Sequence, residues 1–249
     1  MDSALIGKVV LVSGGSSNLG AAICRAFSHE GAIVVCTWAS ETGRTKAGAL
    51  AKELPACRCV AMDVCNEQSV QRTLRTIEKT EGRLDVLVNN SGVFTCSEQE
   101  LLPEADWDRV FDTNVKGIWR TCRNALPLLK ASQPSAIVNI ASINAVHPGF
   151  GGTVHYDASK GAVVSFTRSL AEEIGGGGVR VNAIAPGLLD APYLHADNNE
   201  LGPMYGRRAV LGRMVQPADV ASVAVFLASP LSGGIVGETI VVDCGYLLR

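Results

Sequence analysis

The chain has 249 residues, 47% of them hydrophobic and 18% charged, a balance that supports a sizeable buried core and argues against disorder. A formal net charge of −2 gives nucleic acid or an anionic lipid surface little to bind by charge. No apolar run approaches the roughly 18 residues of a membrane span, and Met1-Asp2-Ser3 places no basic stretch ahead of an apolar segment, so a cytoplasmic protein is expected. The eight cysteines (Cys24, Cys36, Cys57, Cys59, Cys65, Cys96, Cys122, Cys244) form no C-x-x-C pair and several fall in apolar segments. They read as reduced packing residues, with no metal site expected.

In chain order, the pattern predicts strands at 9–12, 33–36, 59–62, 86–88, 136–140, 180–184 and 239–242. Helices are predicted between them at 19–29, 45–54, 67–80, 105–129, 154–174 and 217–227. Unbroken Val/Ile/Leu runs alternating with helices indicate a parallel sheet covered on both faces. The expected fold is α/β, a doubly wound Rossmann-type sheet of seven parallel strands in a single domain spanning 1–249.

Two stretches break this rhythm, both after the carboxyl end of a strand, where ligands bind in open α/β sheets. Residues 143–153 contain Pro148-Gly149-Phe150-Gly151-Gly152, and residues 188–213 mix polar, Gly and Pro residues with a few large apolar ones. They are the expected site walls, the second a substrate lid. The glycine run at 175–178 precedes a strand, so it reads as a helix end and not as a phosphate loop.

The turn Val12-Ser13-Gly14-Gly15-Ser16-Ser17-Asn18-Leu19-Gly20 follows the first strand and opens the first helix. Its amides can meet a pyrophosphate at the positive helix end. Tyr156 and Lys160, four apart at the start of a predicted helix, project from one face. An ammonium beside a phenol, whose ordinary pKa is about 10, stabilises the phenolate and suits it to acid/base work. The pair gains specificity from its company: Ser142 ends a strand, Asn114 lies in a predicted helix, and Asn89-Asn90-Ser91-Gly92 closes the fourth strand.

On these residues the chain resembles the short-chain dehydrogenases/reductases. Their T-G-x-x-x-G-x-G signature is matched with Ser13 for Thr, Gly14 and Gly20 retained, and Asn18 at the middle glycine. Asparagine tolerates left-handed backbone, so the turn is expected to form, with added bulk where phosphate should approach. With Asp63-Val64, Pro186-Gly187 and Val242-Asp243, the resemblance covers essentially the whole chain.

The resemblance implies an oxidoreductase that transfers a hydride between a nicotinamide cofactor and a small alcohol or carbonyl substrate. Tyr156 would exchange a proton with the substrate oxygen, and Lys160 would hold the nicotinamide ribose and lower the Tyr pKa. Ser142 would polarise the carbonyl, and Asn114 would support a water-linked relay. Gly14, Ser16, Ser17, Asn18, Leu19 and Gly20 would bind the phosphates, Asn90, Ser91 and Gly92 would line the cofactor, Asp63 and Val64 would contact adenine, and Pro186 and Gly187 would border the nicotinamide.

NAD enzymes of this architecture carry an acid at the tip of the second strand, roughly 20 residues past the turn. Here the segment Val34-Val35-Cys36-Thr37-Trp38-Ala39-Ser40 has no carboxylate. It resembles the Asn-Tyr-x-x-Ser ending of NADP-preferring members, with Thr37, Trp38 and Ser40 around a 2′-phosphate. NADP(H) is therefore favoured over NAD(H), although Ser17 and Ala39 stand where a base is usual and only Arg44 is close.

Carrier-protein reductases tend to present basic residues where this chain has Ser132-Gln133-Pro134 and 175–178, so a small free substrate is preferred over a 3-oxoacyl thioester. A catalytically idle nucleotide-binding scaffold is the remote alternative, opposed by the intact Asn114, Ser142, Tyr156 and Lys160. The resemblance also implies a homo-oligomer, tetramer or dimer, packed through helices 105–129 and 154–174, where the small Ala158 and Ala162 suit close approach. His147 and His155 flank the expected pocket as candidate substrate contacts, whereas His29 and His195 have no partner visible in the sequence.

Overall fold

Val9, Val10, Leu11 and Val12 are all buried, which requires a strand covered on both faces. In the computed structural model, which describes residues 3–195 and 200–249, this strand, β1 (Val9–Val12), lies inside the sheet between β2 (Ile33–Trp38) and β4 (Val86–Asn89). With β3 (Cys57–Ala61), β5 (Ser135–Ile140), β6 (Val179–Pro186) and β7 (Thr239–Val242) it forms a seven-stranded sheet of order β3-β2-β1-β4-β5-β6-β7. Every pairing is parallel.

Successive side chains enter opposite layers, as the strand period of two demands. Val10, Val12, Val34 and Cys36 pack with α1 (Asn18–His29), α2 (Glu41–Glu53) and α8 (Pro217–Ala228). Val9, Leu11, Val35 and Leu87 pack with α3 (Glu67–Glu81), α5 (Gly117–Ala131) and α6 (Val154–Ile174). A buried polar ladder crosses this second layer: Asn89 Nδ2 donates to Asn139 Oδ1 (2.8 Å), Asn139 Nδ2 to Thr167 Oγ1 (2.9 Å) and Thr121 Oγ1 to Asn89 Oδ1 (2.6 Å). Because each member is satisfied, the ladder sets β4 and β5 against α5 and α6, the helices that carry the site.

Two expectations are corrected. The helix expected at 105–129 is α4 (Glu104–Phe111), a π turn at Asp112–Lys116, and α5. A π turn adds one residue to a helical turn, which apolar spacing does not register. The stretch 188–213 is not featureless: it contains a 3-10 turn at Pro192–His195 and α7 (Leu201–Arg208), while residues 196–199 lie outside the described residues. Gly202, Pro203 and Gly206 disguised α7, which is secured instead by burial of Tyr205. The run at 175–178 ends α6 as expected, with Gly178 left-handed at φ 74°. Among the described residues no helix is long and apolar enough to cross a membrane.

Candidate active site

β1 pairs with β2 on one side and β4 on the other, so the chain reverses its order at β1 and a crevice opens at the carboxyl ends of the strands. The turn after β1 occupies this crevice. Gly14 has φ +60°, and a Cβ there would stand 3.0 Å from Ser91 Oγ and 3.1 Å from Ser91 Cα. At Gly20 a Cβ would come within 2.2 Å of the Gly14 carbonyl oxygen. Both positions therefore require the missing side chain.

The turn is tied to β4 from two directions. Ser13 Oγ accepts from the Asn90 and Ser91 amides (3.0 and 2.9 Å), and Asn90 Nδ2 donates to the Ser13 and Gly14 carbonyls, both at 3.0 Å. Ser17 caps α1, its Oγ accepting from Gly20 N at 3.1 Å, while Ser16 stands part-exposed and Leu19 is buried against the site. The turn forms with Asn18 in it and without left-handed backbone at that residue. Asn18 is the first residue of α1, and its Nδ2 donates to the Asp190 carbonyl at 2.8 Å, tying the phosphate turn to the 188–213 segment.

At the tip of β2, Thr37 is fully buried and its hydroxyl bridges the Gly14 amide and the Val12 carbonyl (3.2 and 3.3 Å). Its expected place around a 2′-phosphate is thereby corrected, since the hydroxyl is engaged within the turn. Trp38 remains at the tip with the Arg44 guanidinium 5.9 Å from its ring centre, and Ser40 caps α2 through Gly43 N at 3.1 Å. Asp63 is exposed, its carboxylate accepting from Cys65 N at 2.9 Å, a local turn. Val64 is buried against Gly117, where a Cβ would meet it at 2.8 Å.

Ser142, Tyr156, Lys160, Asn90, Gly92, Pro186 and Gly187 line one cavity of about 190 Å³. A larger groove of about 910 Å³ beside α7 holds none of Ser142, Tyr156 and Lys160, so the small cavity is the candidate chemical site. Lys160 is buried, donates to the Ile140 carbonyl at 2.9 Å and lies 5.6 Å from the centre of the Tyr156 ring. Burial pulls its ammonium pKa down to about 8. Asn114 is fully buried within the π turn. Its Oδ1 accepts from Val93 N (2.8 Å), and its Nδ2 donates to Val93 O (2.9 Å) and Ser159 Oγ (3.1 Å). Asn114 Oδ1 and Lys160 Nζ converge on Gly92, where a Cβ would sit 3.3 and 3.7 Å from them.

Phe94, Val93 and Ile140 are wall residues without a signal in the sequence, whereas Leu189 and Tyr205 belong to the 188–213 stretch expected as a wall. Phe94 sets its ring edge against Tyr156, centroids 4.9 Å apart, and Val93, Ile140 and Leu189 complete the apolar side. Tyr205 of α7 reaches across to donate to the Asp243 carbonyl at 2.6 Å and fills the space a Cβ on Gly187 would need. Neither His147 nor His155 lines the small cavity. His155 is fully buried and bonded to Thr95 Oγ1 at 2.6 Å. Both nitrogens of His147 are engaged, Nδ1 with the Pro148 carbonyl at 2.6 Å and Nε2 with Arg208 at 3.1 Å. His195 pairs with Asp190 at 2.5 Å.

The glycine cradle at a helix N-terminus, the acid-free strand tip and a buried ammonium at the crevice fit a nicotinamide dinucleotide. Such a cofactor supplies or takes up a hydride when bound. The family model described as enoyl-(acyl carrier protein) reductase matches residues 14–247. The chain is 36% identical over 241 residues to a meso-2,3-butanediol dehydrogenase of Serratia marcescens, covering 96% of this chain and 94% of that one. It is 34% identical over 250 residues to a 3-oxoacyl-[acyl-carrier-protein] reductase of Chlamydia pneumoniae, covering 98% and 99%. Among solved structures it superposes on a blue fluorescent protein from a metagenomic library in complex with NADPH, with TM-score 0.90, 31% identity and coverage of 97% and 98%. Fold, crevice and full-length similarity agree, and the chain belongs to the short-chain dehydrogenase/reductase family, a nicotinamide-dependent oxidoreductase of alcohol and carbonyl groups.

Proposed function

We propose that the enzyme interconverts a small free carbonyl compound and its alcohol, with NADP(H) preferred. The observation that carries this reading is the convergence of Ser142, Tyr156 and Lys160 on a cavity of about 190 Å³ walled by Phe94 and Leu189. In the reductive direction the Ser142 hydroxyl orients the carbonyl oxygen, and the Tyr156 phenol donates the proton that the oxygen acquires. The Lys160 ammonium lowers the proton affinity of Tyr156 and holds the ribose. Asn114 supports a water-linked relay through Lys160: both Nδ2 hydrogens are engaged, while Oδ1, which accepts from Val93 N, keeps a second acceptor position.

Gly14, Ser16, Ser17, Asn18, Leu19 and Gly20 cradle the pyrophosphate, with Asn90, Ser91, Gly92, Pro186 and Gly187 along the nicotinamide half and Asp63 and Val64 at adenine. Trp38, Ser40 and Arg44 receive the 2′-phosphate. The arginine above the Trp38 ring supports that choice, as does the NADPH in the similar metagenomic protein. Residues 188–213 act as the lid. Exposed Trp107, Trp119, Val154 and Ala158 on α4, α5 and α6 support assembly of two or four copies. Eight free cysteines support residence in the reducing cytoplasm.

The similarity to the chlamydial carrier-protein reductase favours a second reading, reduction of a 3-oxoacyl thioester. A panel of diacetyl, acetoin, small polyols and acetoacetyl thioesters, each with both cofactors, separates the two. Higher kcat/KM on diacetyl or acetoin, with a lower KM for NADPH than for NADH, is expected. Higher kcat/KM on the thioester overturns the substrate assignment, and a lower KM for NADH overturns the cofactor preference.

A further inference from the structure

We propose that Asp157 is a positioning residue that locks Ser142 to the helix carrying Tyr156, acting through Asn144; the proposal rests on the catalytic reading of Ser142 and Tyr156 given above. The Asp157 carboxylate accepts three hydrogen bonds, all from the 143–153 segment: from Asn144 Nδ2 at 2.6 Å, Gly149 N at 3.0 Å and Thr153 Oγ1 at 3.0 Å. Asn144 in turn donates its backbone amide to Ser142 Oγ at 3.1 Å. A continuous path therefore runs from the Ser142 hydroxyl through Asn144 to Asp157, the residue that follows Tyr156 on α6.

This arrangement does more than cap a helix. A capping carboxylate takes amides from its own first turn, whereas Asp157 takes two donors, Asn144 and Gly149, from the loop that follows β5 and the third from Thr153, the N-cap of α6. The loop closes so tightly on the carboxylate that a Cβ on Gly149 would stand 2.4 Å from Thr153 Oγ1 and 2.5 Å from Asn144 Nδ2. Among the described residues no salt bridge is made by Asp157, so its charge is met by these three donors and by the N-terminus of α6, in whose first turn it stands. The opposite neighbour of Tyr156 anchors the other wall: His155 bonds Thr95, next to Phe94, and Ser97 N donates to the Gly152 carbonyl at 2.9 Å, joining the two walls.

The test uses diacetyl and NADPH with the full-length protein. Asp157→Ala is expected to lower kcat about tenfold or more, the scale on which misplacement of a reacting group acts. The Kd for NADPH should stay within about twofold, because Asp157 touches no residue of the nucleotide turn. Asn144→Asp sets two carboxylates face to face and is expected to lose as much. Asn144→Asp combined with Asp157→Asn restores the donor and acceptor in reverse order and should recover kcat to within about threefold of wild type, which a merely structural defect would not allow.

Unchanged kcat in Asp157→Ala, or a double exchange no better than Asn144→Asp alone, overturns the proposal. Should Asp157→Ala fail to fold, the comparison of Asn144→Asp with the exchange decides. A wild-type protein that binds NADPH but reduces neither diacetyl nor an acetoacetyl thioester defeats the functional reading instead. Hydrogen exchange at the Gly149 amide then still tests the lock: it should quicken about tenfold in Asp157→Ala, and unchanged exchange overturns the proposal.

Discussion

The two walls of the crevice are held in place by different groups. On the nucleotide side, the turn after β1 is confined where side chains are absent, Gly14 abutting Ser91 and Gly20 abutting the Gly14 carbonyl, and is tied by the neutral side chains of Ser13, Asn90 and Thr37. On the substrate side, residues 143–153 are held by the Asp157 carboxylate, and the 188–213 segment by Asn18 and by Gln216 Nε2 donating to Asp190 at 2.8 Å. Steric exclusion tolerates almost no substitution, whereas hydrogen bonds can be exchanged for other pairings. The first wall can therefore serve one cofactor class rigidly, while the second can be re-cut for different substrates on the same scaffold.

Substitutions sharpen this contrast. Tyr156→Phe removes the proton donor without touching either wall and should lower kcat on diacetyl by about a thousandfold, the upper range for a positioned acid, with NADPH affinity unchanged. Turnover near wild type would remove Tyr156 from the chemistry. Gly20→Ala strikes the steric wall: fluorescence titration should show NADPH binding weakened about a hundredfold, and denaturant unfolding a loss of about 2 kcal/mol from overpacking. If both values stay at wild type, the turn is not specified by exclusion.

The pH response reads Lys160, which lies between the walls. Its ammonium is the form that assists Tyr156, and burial has lowered its pKa to about 8. The charged form prevails below that pH and is lost above it. Diacetyl reduction, measured as kcat/KM, should hold level below about pH 8 and fall above it, whereas a rise through that range would contradict the assigned role. Arg44→Ala should raise the KM for NADPH about fivefold and leave that for NADH unchanged, consistent with loss of one exposed phosphate contact. Asn18→Ala cuts the bond between the walls and should lower stability by about 0.5 kcal/mol, the low end for an exposed hydrogen bond, as read by thermal unfolding.

Legibility followed the same division. Residues 13–20, 89–92 and 156–160 were readable because their constraints are local: glycine at a tight turn, a cap at a helix start, two side chains one helical turn apart. Asp157 carried no sequence signal although it stands beside Tyr156, since its partners lie at Asn144, Gly149 and Thr153 and depend on how the loop folds back. His147 and His155 drew attention by proximity in sequence, yet one is bonded to Arg208 and the other is buried on Thr95. The role expected of Thr37 failed for a related reason, because whether a strand-end hydroxyl faces ligand or backbone is decided by the neighbouring turn.

By itself the sequence determined the α/β alternation, the parallel sheet, the strand–turn–helix cradle and the Tyr156–Lys160 pair, because each follows from periodicity or from conformational limits within a few residues. Only the tertiary structure decided the π turn at Asn114, the helix within 188–213, the small cavity beneath Phe94 and the carboxylate that joins Ser142 to Tyr156. These depend on contacts between residues far apart along the chain. Such contacts acquire an energy only when the core has brought their elements together.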